Sequence, residues 1–143
     1  MYKDILLPVD LNDPSSWEKA LPTALKMADA FDARMHVMTV APDFQLPMLS
    51  HFFHDNFEES AMEEMNRKLH EFVAANVPAD RKVQHIVTDG AVYEAILLMA
   101  EKVNADLIIM SSHRPEMRDY LLGPNAARVV RHGKCSVMVV RDN

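Results

Sequence analysis

The sequence has one cysteine, Cys135, among 143 residues. No internal disulfide is possible, and a reducing compartment fits best. Glycine is nearly as scarce, with Gly90, Gly123 and Gly133 the only three. Positive charge is in deficit: 15 Lys and Arg stand against 21 Asp and Glu, for a net charge of −6. That balance, with a pI of about 5.6, argues against broad binding to nucleic acid or an anionic membrane surface, while leaving room for a local basic patch. Apolar runs long enough to cross a bilayer are absent, so no membrane insertion is expected. The N-terminus, MYKDILLPVD, lacks the apolar core and small-residue cleavage site of a signal peptide. The reading is therefore a cytoplasmic protein. Also missing are a Ser-His-Asp order, a nucleophile elbow and a paired-carboxylate signal, so no enzyme class is named by motif.

What is present is an alternation of short apolar runs and helical stretches. Residues 4–9, 34–41, 82–88, 106–110 and 136–140 read as strands. In the stretch after residue 10, Asp13 and Pro14 look like an N-cap and a first-turn proline. Ala20, Leu21, Ala24, Leu25 and Met27 then form a helical apolar face, and Pro22 is expected to kink this helix or delay its regular part. The clearest helix is 57–75, with Ala61, Met65, Leu69 and Phe72 at helical spacing. Further helices are read at 91–105 and around 126–132. Strands separated by helices need crossovers, which makes them parallel and the connections right-handed. Strands one, four and five are nearly all apolar, as when both sheet faces are covered. Neither internal repeat nor linker is seen, so residues 1–143 form one domain.

In an open parallel sheet, ligands bind beyond the carboxyl ends of the strands, where strand order reverses. Two strand ends qualify. One is Pro8-Val9-Asp10, where a carboxylate can accept hydrogen bonds from ribose hydroxyls. Asp10 can equally well cap the turn formed with Asn12 and Asp13. The other end is the loop SSHRPEMRDYLLGPNA, residues 111–126, which runs from the fourth strand into a helix with Gly123 as its one glycine.

ILLPVD, HVMTVAP and IIMSSHRPEMRDYLLGPNAARVVRHGKCSVMVVR together resemble the universal stress protein family over essentially the whole chain, and the last block resembles the UspF/UspG branch. The resemblance implies a Rossmann-like fold of the adenine nucleotide alpha hydrolase type: an open five-stranded parallel sheet of order 3-2-1-4-5 with helices on both faces. It also implies binding of ATP, AMP or ADP, with Mg²⁺ allowed, and a homodimer paired through residues 136–141. A regulatory role in stress response follows, in which a protein partner has a place. Many ATP-binding members carry glycine, two residues, glycine, nine residues, glycine, then Ser or Thr. Here Ser111 and Arg114 replace the first two glycines, the spacing to Gly123 is one residue short, and Pro124 stands where Ser or Thr is usual.

Phosphate binding needs converging N–H groups near a helix N-terminus. Gly123 permits close approach. Pro124 suits a first helical position but removes one donor. Ser112, His113, Arg114 and the Asn125 side chain can supply a side-chain cradle in place of glycines, Arg114 by a two-bond clamp on phosphate oxygens. The bland alternative pairs Arg114 with Glu116 or Asp119 in a solvated loop. By resemblance, Val40 and Met110 line an adenine pocket, although both read equally as core. Ser136 is expected to approach the phosphates from the start of the fifth strand, or else to bond backbone there. Any ATP hydrolysis is expected to be slow, for want of a placed base. The alternatives are a nucleotide-free interaction module of the same fold and, more weakly, an enzyme acting on an adenylated substrate.

Other constellations carry less. His51, His54 and Asp55 have metal-like spacing without a third strong ligand. Phe52, Phe53 and Phe57 read either as a lid or partner surface, or as packing onto the core. Glu58, Glu59, Glu63 and Glu64 read as a solvated helix face. Cys135 has Lys134 and His132 nearby, which would lower its pKa, against the alternative of a buried strand-edge thiol.

Overall fold

A computed structural model describes residues 1–41, 57–112 and 124–141. Its order is β1 (Asp4–Pro8), a 3-10 turn (Pro14–Ser16), α1 (Ala20–Phe31), β2 (Arg34–Ala41), α2 (Phe57–Asn76), β3 (Val83–Asp89), α3 (Val92–Lys102), β4 (Leu107–Ser111), α4 (Pro124–His132) and β5 (Ser136–Val140). The five strands form one sheet of order β3-β2-β1-β4-β5, parallel throughout.

Strand alternation splits the core in two. Ile5, Leu7 and Val9 of the β1 segment, with Met35, Val37, Leu107 and Ile109, pack under α1 and α2 against Ala24, Ala28, Leu69 and Val73. Leu6, Met38, Ile86, Ile108 and Met110 face the other way, under α3 and α4, against Ile96, Ala100, Ala126 and Val129. Covered on both faces, β1 and β4 are buried at four of five positions. β5 departs from that expectation: none of its residues is buried. It is the outermost strand of the sheet, and among the described residues no strand pairs with its far edge.

The expected N-cap and proline do act together, but they open a 3-10 turn. Asp13 Oδ1 accepts the Ser15 N–H. The regular helix starts only at Ala20, which puts Pro22 in its first turn, where a missing N–H costs little. Gly90 turns β3 into α3 at φ +101°, a backbone angle that side-chain-bearing residues rarely adopt. Gly133 turns α4 into β5 where an added Cβ would come 2.7 Å from the Val129 carbonyl oxygen.

Candidate functional site

The hydrogen-bonded pairing of β1 with β4 stops before the carboxyl ends of the two strands. β1 stays with β2 through Pro8, opposite Met38, and the Val9 N–H donates to the Met38 carbonyl at 2.8 Å. β4 stays with β5 through Ser111, opposite Val140, and the Ser112 N–H donates to the Val140 carbonyl at 3.3 Å. Between β1 and β4 the pairing covers only Ile5–Leu107 and Leu6–Ile108. The cause lies in one residue. Since the Val9 backbone faces β2, alternation turns the backbone of residue 8 toward β4, and a proline there has no N–H for the next rung. After β1 the chain passes to the α1 face, and after β4 to the α4 face. This is the switch point of the sheet, where open α/β folds admit ligands.

Asp10 is exposed at this point. Its Oδ1 accepts the Asn12 N–H at 3.0 Å, so the turn-capping role is present. Oδ2 makes no hydrogen bond among the described residues, so the carboxylate keeps an acceptor for a hydroxyl. Ser112, half-buried, leaves the sheet from the neighbouring strand. Further along the chain α4 begins at Pro124 as expected, with Asn125 half-buried and Ala126 buried. The N–H groups of its first turn have no intrahelical acceptor. His113, Arg114 and Gly123 lie outside the described residues, as do Glu116 and Asp119. Pro8 is half-buried and Val9 buried in the α1-side core. Val40 and Met110 both belong to the core on the α3 side, Val40 at its half-exposed margin and Met110 inside it.

Ser136 is not brought to this end. It opens β5 opposite Leu107, at the amino edge of the sheet. Four residues, or about 13 Å of strand rise, separate it from Val140. There its Oγ accepts a hydrogen bond from the Tyr2 hydroxyl at 3.1 Å. The expectation that it meets the phosphates is corrected by strand direction: in a parallel sheet, the start of β5 faces away from the end of β4.

Cys135 is not an activated thiol. Burial pushes its pKa up, with a contribution from Asp106, against a backbone hydrogen bond that lowers it. Lys134 is engaged with Glu101 at 2.8 Å. The thiol lines a cavity of about 440 Å³ with Leu97, Ile108 and Gly133, at the amino end of β4 and far from Asp10. Glu59, Glu63 and Glu64 are exposed, Glu64 pairing with Arg67. His51, His54, Phe52 and Phe53 lie outside the described residues, and nothing is described of the Phe57 and Glu58 side chains. Among the described residues, no group of three or more His, Cys, Asp or Glu is placed to hold a metal ion, and no helix is long and apolar enough to cross a membrane.

Sequence reasoning passed over Ser16. Its hydroxyl accepts the Asp10 N–H at 2.9 Å and reaches the Asp13 carbonyl at 2.7 Å. The signal was in DPSS, a run of turn-forming residues that starts three positions after the strand-end aspartate.

An open parallel sheet of order 3-2-1-4-5, with its switch point between the carboxyl ends of β1 and β4 and an exposed carboxylate at that point, defines the class: a Rossmann-like α/β protein. The model of the universal stress protein family matches residues 1–141, and the chain belongs to that family. It is 32% identical to Universal stress protein G of Salmonella typhi over 143 residues, covering 99% of this chain and 100% of that one. It is 29% identical to Universal stress protein A homolog 1 of Coxiella burnetii, covering 97% and 96%. Among solved structures, the protein MJ0577 superimposes with a TM-score of 0.74 at 26% identity, covering 100% and 98%. A universal stress protein in complex with cAMP superimposes with a TM-score of 0.64 at 23% identity, covering 99% and 98%.

Proposed function

We propose that this protein binds ATP, or AMP or ADP, as a regulatory ligand in a stress response, as a cytoplasmic homodimer. The observation that carries the reading is the switch point between the carboxyl ends of β1 and β4, with the exposed Asp10 carboxylate at that point and α4 starting further along the chain. The cAMP bound by one structural relative supports an adenine nucleotide as the ligand class. Asp10 takes the ribose through Oδ2. Ser112 and Asn125 face the phosphates together with His113, Arg114 and Gly123, and α4 contributes its first-turn N–H groups and the positive end of its dipole. Val40 borders the adenine, with Pro8, Val9 and Met110 as the wall behind it. Mg²⁺, where present, enters with the phosphates and offsets their charge. The chain acts by holding the nucleotide, and hydrolysis, if any, is slow.

Calorimetry with ATP and Mg²⁺ at millimolar ligand tests this reading. The expected result is one adenine nucleotide per chain, with weaker binding in Arg114→Ala; no heat of binding overturns it. Mass spectrometry of ligand released from the purified protein is expected to find an adenine nucleotide. One observation favours a second reading, a nucleotide-free interaction module: α4 begins on Pro124, which has no N–H to offer a phosphate. That reading predicts partner capture without any nucleotide affinity.

A further inference from the structure

The loop between β1 and α1 is cross-linked far beyond what a connection needs. The Asp13 N–H donates to the Asp10 carbonyl and the Ser16 N–H to the Asp13 carbonyl, each at 3.0 Å. The Asp13 carboxylate accepts from both the N–H and the hydroxyl of Ser15. Ser16 is the tie between the two halves. Its Oγ accepts the Asp10 N–H at 2.9 Å. Its single proton has two candidate acceptors, the Asp13 carbonyl at 2.7 Å and the Asp10 carbonyl at 3.1 Å; the shorter contact is the better bond. One hydroxyl thus joins the amide of residue 10 to the carbonyl of residue 13. The turn is anchored from behind by Trp17, whose backbone N–H donates to the Pro14 carbonyl and whose ring meets Phe72 of α2 edge-on at 5.0 Å.

We infer that Ser16 is a positioning residue: it locks the Asp10 loop so that Asp10 keeps one carboxylate oxygen fixed for the two adjacent hydroxyls of a ribose, and so sets the site's selectivity for ribose-bearing ligands. With the backbone of residue 10 held by Ser16 and Oδ1 held by the Asn12 N–H, the Asp10 side chain has little freedom left. Oδ2 is then an acceptor that loses no further rotamer entropy on binding. A hydrogen bond to a charged acceptor, made without that loss, separates a ribose from a sugar lacking the hydroxyls by roughly tenfold or more. Without the Ser16 hydroxyl, the Asp10 N–H loses its acceptor, and the backbone that carries the carboxylate loosens while Oδ1 keeps the Asn12 N–H. The hydroxyl contact then weakens while the rest of the crevice is untouched.

The inference rests on the nucleotide reading, and its test separates the two. Affinities for ATP and 2′,3′-dideoxy-ATP are measured by calorimetry for wild type, Ser16→Ala and Ser16→Thr, alongside amide hydrogen exchange at Asp10. Wild type is expected to prefer ATP by roughly tenfold. In Ser16→Ala the preference falls to about two- to threefold through loss of ATP affinity alone, and the Asp10 amide exchanges faster. Ser16→Thr, which keeps the hydroxyl, retains both. An unchanged preference in Ser16→Ala, an equal loss for both nucleotides, or an unchanged Asp10 amide overturns the inference and leaves nucleotide binding standing. Wild type that binds neither nucleotide overturns both.

Discussion

Asp4 is the most heavily engaged buried charge among the described residues. It is 6% exposed at the start of β1. Its Oδ1 accepts from His36 Nε2 and its Oδ2 from Arg34 Nη2, each at 2.9 Å. His36 Nδ1 meets the Gln84 side-chain amide one strand further out. Burial alone would push the Asp4 carboxyl up, but hydrogen bonds from Arg34 and His36, and their charges, together hold it below the usual carboxylate range. A folded-state pKa below the unfolded value means that the unfolded chain takes up protons first. The stability Asp4 supplies is complete above about pH 4 and is lost as pH falls through its lowered value. Asp4→Asn leaves a buried imidazole without its carboxylate. It is expected to cost about 2–3 kcal/mol, a fall in Tm of roughly 5–10 °C at neutral pH, and to flatten the acid limb of the unfolding profile. A Tm within a degree of wild type would remove Asp4 from the account of stability. None of this was legible in DILLPV, which reads as an apolar strand. The partners sit 30 and 32 positions away, and only the strand order brings them together. The turn-capping geometry of Asp10 was legible because it is local: a carboxylate at a strand end, two residues before the Asn12 N–H that it accepts.

Elements repeat the pattern at larger size. β2 and β5 fall on the residues that their apolar runs mark, and α2 ends one residue beyond the stretch read from periodicity. α1 begins seven residues after the Asp13 cap signal, because Asp13 and Pro14 satisfy a 3-10 turn as well as they would an α-helix. Periodicity marks which face of an element is buried, but it does not show which polar groups meet across that face. On α2 and β3, His70 and His85 stack face to face, with ring centroids 3.9 Å apart and planes 7° from parallel. Stacked rings aim their nitrogens in parallel planes, so the pair does not converge on a metal ion. Two protons on such a pair repel. Burial lowers the His85 pKa, and the charge of His70 lowers it further. Facing them on α2, the Arg67 charge is balanced by Glu64 and Glu71; from β2 the position opposite His85 is the apolar Val37. A histidine whose pKa the fold lowers binds protons more readily when unfolded. Stability is therefore expected to be full above about pH 7 and to decline as pH falls below the ordinary histidine value near 6.5. Thermal unfolding at pH 7.5 and pH 5.5 reads this, and His85→Gln is expected to shrink the difference. An equal pH dependence in the variant would sink the assignment. The window lies well above that of Asp4, so the two titrations are separable in one pH series.

For the whole molecule, the sheet order followed from the family resemblance together with the βα alternation, whereas the exposed state of β5 did not follow from its apolar sequence. An apolar strand reads the same in the middle of a sheet and at an edge; only topology tells the two apart. Here Val137, Met138, Val139 and Val140 are all half-exposed, on a strand whose outer hydrogen-bonding edge meets no other element of the sheet. That edge is the surface through which we propose the homodimer forms, by antiparallel pairing of residues 136–141 about a two-fold axis. The hydrogen-bond phase of β5 gives a sharp test. Because the Val140 carbonyl accepts from the Ser112 N–H, residues 136, 138 and 140 turn their backbones to β4, and residues 137 and 139 turn theirs outward. Val139→Pro removes an outward N–H and leaves the ladder to β4 intact. It is expected to give a folded protein of the monomer mass, 16.3 kDa, in sedimentation or light scattering where wild type shows twice that. Met138→Pro removes an N–H that faces β4 and is expected to cost about 1–3 kcal/mol of fold stability through the lost ladder hydrogen bond. If both prolines destabilise the fold alike, or if Val139→Pro keeps the dimer mass, the dimer is not paired through this edge.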